Sequence, residues 1–241
     1  MLKASRWVLF ALLAALLAAG AGSAILALQD RSSESDWESR DGWQRPQDVM
    51  DELGLHAGSA VAAIGAGRGY FAFRLAERVG ANGKVYAVDI DESDLQGLAR
   101  RAREQNLSQI ETVHGATDDP RLPDGCVDAI LVVNAYHEMR DFDAMLQGMF
   151  RALRPRGRLA IIDEDSEPGK PRSSYQSSHE IPASLVEQDA ERNGFRLLRR
   201  PKGFQRSSST DWYFLLFEKP AAQALRTPSV PLNPVAVGTM D

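Results

Sequence analysis

The sequence predicts a doubly wound α/β sandwich built on a mostly parallel sheet. Three observations carry that reading. Short apolar runs alternate with amphipathic ones from residue 59 onward. Two of these runs, "CVDAILVV" and "RLAIID", are almost continuously apolar, as burial on both faces of a parallel sheet requires. The first run passes at once into "GAGRGYF", the kind of glycine-rich connection that joins a strand to a helix at the ligand-binding edge of such sheets.

Each element follows in order. Pro46 opens a short helix, Gln47 to Leu53, which Gly54 ends. Ser59–Ile64 reads as strand, Tyr70–Val79 as helix and Lys84–Asp89 as strand. Glu92–Gln105 reads as helix, with Leu95, Leu98 and Ala102 on one face. Ile110–His114 and Val127–Val133 are strands, Phe142–Leu153 a helix and Arg158–Asp163 a strand. A loop, "EDSEPGKPRSSYQSSHE", leads to a helix near Ile181–Asn193. "GFRLLRR" and "DWYFLLFEK" then follow with no helix between them, so they should pair antiparallel. The domain is expected over 46–219, with 220–241 a disordered tail.

Composition narrows the function classes. A chain of 241 residues suits one domain with appendages. Its net charge of -5 and lack of a Lys/Arg cluster with interleaved aromatics make nucleic acid an unexpected partner. Cys126 is the single cysteine, which excludes an intramolecular disulfide and a cysteine-built metal site. The N-terminus differs from the rest: Lys3 and Arg6 precede an apolar stretch from Trp7 to Leu28. Its length suits a retained membrane anchor, whereas Ala19-Gly20-Ala21 resembles a cleavage site, so residues 1–29 read as signal-anchor or signal peptide. Either fate attaches the domain to a membrane or exports it, with the periplasmic side favoured by the short basic N-terminus. Residues 30–45, polar and Ser-rich, read as a tether.

The chemistry is concentrated at the strand ends. Gly65, Gly67 and Gly69 stand where a ligand meets backbone amides and a helix N-terminus. Asp89 closes the second strand about 20 residues after the glycine loop, where a carboxylate can accept both hydroxyls of a ribose. A nucleoside is implied. The spacing G-x-G-x-G, in place of G-x-G-x-x-G, argues against a nicotinamide-dependent oxidoreductase.

Taken together, "VAAIGAGRGYF", "KVYAVDID", "GATDDPRLPDGCVDAILVVNAYHEM", "LRPRGRLAIIDE" and the closing "GFRLL...WYFLLFEK" resemble the class I S-adenosylmethionine-dependent methyltransferases. The likeness is greatest to small-molecule methyltransferases related to quinone-biosynthesis enzymes, and covers roughly Trp43 to Lys219. It implies a Rossmann-like, seven-stranded sheet whose last strand is antiparallel, and S-adenosylmethionine as cofactor. It also implies cofactor contacts from Gly65, Ala66, Gly67, Gly69 and Tyr70, from Asp89 and Ile90, from Thr117 and Asp118 beside Ala116, and from Asn134 and Ala135. Tyr136 and Glu164 would face the methyl acceptor, a small-molecule or lipid-like compound. Apart from the resemblance, His137 and Glu138 at the end of the fourth strand are placed as acid–base groups, or else as a histidine bonded to a backbone carbonyl and a cap of the next helix. His137 and His179 match no linear ligand spacing, so no metal is expected.

Two departures from the family pattern stand out. Ala63 occupies the position two before the first glycine where an acid is usual, and Ala116 replaces another common acid. Arg68 is also bulkier than the usual Ser or Thr. These features, with possible export, support an alternative: a methyltransferase-fold binding module that no longer turns over.

Overall fold

The alternating runs do form a single sheet. In a computed structural model the structure describes residues 37–202, 205–207 and 210–221. Residues 37–44 are helical (α1), followed by α2 (Pro46–Glu52), β1 (Ala60–Ile64), α3 (Tyr70–Val79), β2 (Lys84–Asp89), α4 (Glu92–Glu104), β3 (Ile110–His114) and β4 (Val127–Val133). A 3-10 turn (Tyr136–Glu138) leads to α5 (Phe142–Ala152), β5 (Leu153–Glu164), α6 (Arg172–Ser178), α7 (Ala183–Arg192), β6 (Arg196–Arg199), β7 (Gln205–Ser207) and β8 (Thr210–Glu218).

Among the described residues the strands run in the order β3-β2-β1-β4-β5-β8-β6, with β7 paired to β8 off that path. The ladders from β3 to β5 are parallel, while β8 is antiparallel to both β5 and β6. This is the seven-stranded, mostly parallel Rossmann-like sheet expected. Order reverses between β1 and β4, and open α/β sheets bind ligands at such a switch point.

Alternation along the strands divides the core in two. Val61, Ala63, Leu131, Ile162 and Phe214 pack against α1 to α4. Ala62, Ile64, Ile130, Ile161 and Leu215 pack against Met145 and Met149 of α5 and Val186 of α7. All five residues of β1 are buried, as a central strand covered on both faces must be. Asp91 caps α4, its carboxylate accepting from the amides of Ser93 and Asp94 at 2.8 and 3.1 Å.

Two expectations need correcting. Residues 37–44 are not tether: they form a helix whose Trp37 is buried against Tyr70 and Phe73, with ring centroids at 6.0 and 5.6 Å. The domain therefore begins before residue 46, because burying an aromatic side chain, at about 1.5–3 kcal/mol, outweighs the polar composition around it. The long loop after β5 contains α6, held by the fully buried Tyr175. The apolar stretch Trp7–Leu28, residues 30–36 and most of the expected tail lie outside the described residues. Among the described residues no helix is long and apolar enough to cross a membrane.

Candidate functional site

The glycine loop joins β1 to α3 at the switch point. Gly65, Gly67 and Gly69 have φ of 70°, 48° and 95°, in the left-handed region that only glycine enters cheaply. A Cβ on Gly65 would sit 2.4 Å from the Cβ of Ala135, and one on Gly69 would sit 2.9 Å from Leu98 Cδ1. At those two positions the protein itself excludes side chains. A Cβ on Gly67 would meet only Asp94 Oδ2, at an ordinary contact distance of 3.9 Å, and its amide donates to Asp89 Oδ2 at 2.6 Å.

Above the loop lies a cavity of about 620 Å³, within the usual range for a small-molecule site. Its floor is Ala63, Gly65, Ala66 and Gly67; its walls include Trp37, Arg40 and Trp43 of α1, Phe71, Asn134 and Trp212. Helix α1 is fastened there by Asp41, which accepts from Tyr70 Oη at 2.6 Å and from Arg74 Nε and Nη2 at 3.2 and 2.8 Å. Burial, then the hydrogen bond and charge of Asp41, pushes the Tyr70 phenol well up, so it remains a donor. Arg40 stacks 4.1 Å over the Tyr70 ring, and Trp43 meets Trp212 edge to face at 5.3 Å. Trp212 Nε1 is buried without a hydrogen-bond partner.

The cofactor residues expected from the sequence gather around this cavity only in part. Gly65, Ala66, Gly67, Tyr70 and Asn134 line it, and Ala135 packs beneath Gly65. Asp89 does not line it: its carboxylate reaches under the loop to the Gly67 amide, and its other oxygen accepts from Asp91 N at 2.9 Å. Ile90 is 60% exposed beside it, and Thr117 and Asp118 are exposed on the loop after β3. Tyr136 points elsewhere. It is fully buried on the opposite face of the sheet, with its hydroxyl on Asp189 Oδ2 at 3.0 Å, because residues after the tight Asn134 turn (φ 52°) enter the α5–α7 layer. His137, Glu138 and Glu164 do not line the cavity either. The contributions of Trp37, Arg40, Trp43 and Trp212 were not anticipated; the aromatic residues in an otherwise polar 37–44 segment were the available signal.

At the ends of β4 and β5 a second cluster forms. His137, buried in the 3-10 turn, places Nδ1 2.9 Å from Asp163 Oδ1, and its backbone amide donates to Oδ2 at 3.1 Å. Burial alone would push this imidazole down; the hydrogen bond and charge of Asp163, with Glu138 and Glu164, outweigh it and hold the group above an ordinary histidine. His179, 42 residues further on, brings Nδ1 to 3.4 Å from His137 Nε2.

A twisted parallel sheet with a glycine loop at its switch point and an adjoining cavity defines a nucleotide-type ligand site on a Rossmann-like domain. Residues 55–213 match the methyltransferase-domain family, and the chain belongs to it. Curated relatives include the demethylmenaquinone methyltransferases of Geobacillus sp., 25% identical over 51% of this chain and 52% of the relative, and of Listeria welshimeri, 27% identical over 54% and 53%. The chain thus spans about half the length of the curated relatives it matches. Among solved structures, a SAM dependent methyltransferase from Aquifex aeolicus superposes with a TM-score of 0.64 at 26% identity, over 75% of this chain and 93% of that one. The phosphoethanolamine N-methyltransferase 2 of Haemonchus contortus, solved with S-adenosyl-L-methionine, shares the fold at a TM-score of 0.62 and 15% identity, over 74% and 53%.

The residues present fit that cofactor. Main chain at Gly65–Gly67 floors a cavity of sufficient volume, with the amides of Ala66 and Gly67 directed to Val88 O and Asp89 Oδ2 and no side chain filling the space above them. Ala63 lies buried in the floor, and arginine and tyrosine are the only titratable residue types lining the cavity among the described residues.

Proposed function

We propose that this chain transfers a methyl group from S-adenosylmethionine to a small, apolar acceptor. The observation that carries the reading is the cavity itself, with bare main chain at Gly65–Gly67 on one side and Trp37, Trp43, Phe71 and Trp212 on the other. When bound, the cofactor supplies a methyl group on positively charged sulfur, open to in-line attack. The loop backbone and the N-terminus of α3 hold its amino-acid end, Asp89 takes the ribose, and Ile90, Thr117 and Asp118 flank the base.

The chain's contribution is to orient two reactants and exclude water from between them, which supplies much of the acceleration in such displacements. The indoles form an apolar wall suited to an aromatic acceptor, and the relatives named for a quinone precursor support that class. His137 and Glu138 lie beyond Asn134 and reach only an acceptor that extends over the end of β4. Delivery from a membrane, through the apolar stretch Trp7–Leu28, belongs to the same reading and is tested by fractionation of the full chain.

The decisive measurement pairs calorimetric titration of the full chain with S-adenosylhomocysteine and a labelled-methyl assay against quinone-type and other apolar acceptors. Saturable cofactor binding with label transfer is expected. Silence at millimolar cofactor overturns the reading, and tight binding with no transfer to any acceptor converts it to the binding-module alternative.

A further inference from the structure

Outside the cavity, the fold brings three potential ligand atoms from two distant parts of the chain to one point. His137 Nε2, Glu138 Oε1 and His179 Nδ1 are separated by 3.4, 3.7 and 3.9 Å. Three ligands bound to a tetrahedral ion at about 2.0–2.1 Å lie roughly 3.3 Å apart. The observed triangle is therefore a few tenths of an ångström from closing on a metal.

What stands behind the triangle matters as much. Asp163 is fully buried, and its carboxylate is occupied by the His137 amide, His137 Nδ1 and the Glu164 amide at 3.1, 2.9 and 2.9 Å. With the Nδ1 proton directed at Asp163, Nε2 presents its lone pair outward. A carboxylate behind the ring is how metal-bound histidines are commonly oriented and made more basic. His179 is held too. It ends α6 in the left-handed conformation (φ 57°), and Gln176 of the same helix donates to the Glu138 carbonyl at 3.2 Å, tying that helix to the turn that carries the other two ligands.

We propose that His137, Glu138 and His179 bind one divalent transition-metal cation of the zinc type, with a coordination position left open. Two imidazoles with one carboxylate favour zinc and its neighbours over magnesium or calcium, which prefer all-oxygen shells. The side chains of Glu138 and His179 are 64% and 73% exposed, so an ion enters from solvent and its remaining position faces water or a donor atom from a bound compound. The ion joins the turn after β4 to α6, two segments that the cavity reading leaves without a shared role. This inference does not depend on cofactor binding.

The test uses the full chain without a polyhistidine tag, stripped with chelator and titrated with zinc against a chromophoric competitor, with elemental analysis of the dialysed protein. One zinc per chain is expected. Because His179 and Glu138 are exposed, His179→Ala and Glu138→Ala should fold normally, and each should weaken binding by roughly tenfold or more; Asp163→Asn should weaken it about 10–100-fold if folded. A control lacking the remaining histidines, His56→Ala with His114→Ala, should bind as the wild type does. Absence of zinc binding in the wild type overturns the proposal. So does affinity that survives both exposed substitutions, or affinity lost in the control.

Discussion

Replacing Asp89 by alanine separates two duties that the structure assigns to one carboxylate. In the free protein its oxygens accept from the Gly67 and Asp91 amides at 2.6 and 2.9 Å, pinning the glycine loop and the start of α4. A carboxylate offers about four lone-pair sites, so two amides leave room for two ribose hydroxyls. A hydrogen bond to a charged group contributes roughly 1.5–3 kcal/mol when buried. Asp89 is half-buried, so each amide bond falls below that range, at about 1 kcal/mol, and the two together contribute about 2 kcal/mol. For a domain of this size that lowers the melting temperature by roughly 4–8 °C. Loss of one ribose bond alone weakens binding by about 10- to 150-fold, at 1.4 kcal/mol per factor of ten. Thermal melts give the first effect, and titration calorimetry with S-adenosylhomocysteine gives the second. Asp89→Asn, which still accepts from one amide, should fall between. If Asp89→Ala melts lower but binds cofactor within threefold of wild type, the carboxylate is a loop anchor only and the ribose assignment is refuted.

Three further outcomes follow from the geometry. Gly65→Ala places a Cβ 2.4 Å from that of Ala135 at a left-handed φ, so the loop must shift; calorimetry should show cofactor binding largely lost, with stability reduced by about 1–3 kcal/mol in denaturant titrations. Trp37→Ala removes the indole that seats α1 against Tyr70 and Phe73, and limited trypsin digestion should then cleave at Arg40 well before the rest of the domain, whereas an unchanged cleavage pattern means α1 is held without it. Burial pushes the Cys126 thiol up, so at any given pH less thiolate is present than in a free cysteine; its alkylation by iodoacetamide should rise only at more alkaline pH than glutathione's, and a coincident or earlier rise contradicts the packing.

Much of the fold could be read from the chain, for identifiable reasons. Tyr70–Val79, Lys84–Asp89, Ile110–His114 and Val127–Val133 have the expected bounds because their apolar spacing has a single period and glycine, proline or polar residues close them. The antiparallel β6–β8 pairing followed from the missing helix between them. β5 begins earlier than expected because Leu153 pairs with Val127 ahead of a register shift, and no apolar alternation marks "LRPRG". α1 was hidden because its packing face uses Trp37 and Gln44 beside charged neighbours, a pattern that composition scores as solvent-exposed. α6 was hidden because it has one buried residue, Tyr175.

The site divides along the same line. Positions fixed by local backbone, such as the three glycines, were legible because a left-handed turn leaves a trace in residue type. Contacts made across the fold were not. Nothing in the sequence separation of 42 between His137 and His179 encodes their approach, which depends on α6 folding back over the turn after β4. Tyr136 was misdirected for a related reason: neighbouring residues in a tight turn face opposite layers, so proximity in sequence to Asn134 did not bring it to the cavity.

Ala63 has a consequence for what the cavity retains. S-adenosylmethionine bears one more positive charge than the spent S-adenosylhomocysteine. The recess is edged by Arg40 and Arg68 and has no acid in its lining, while the carboxylates around it, Asp41, Asp89 and Asp94, stand behind Tyr70 and the glycine loop. The extra charge of the methyl donor therefore meets no lining carboxylate beside Ala63, and the ratio of the two ligands' affinities reads directly how far the acids behind the loop make up for it.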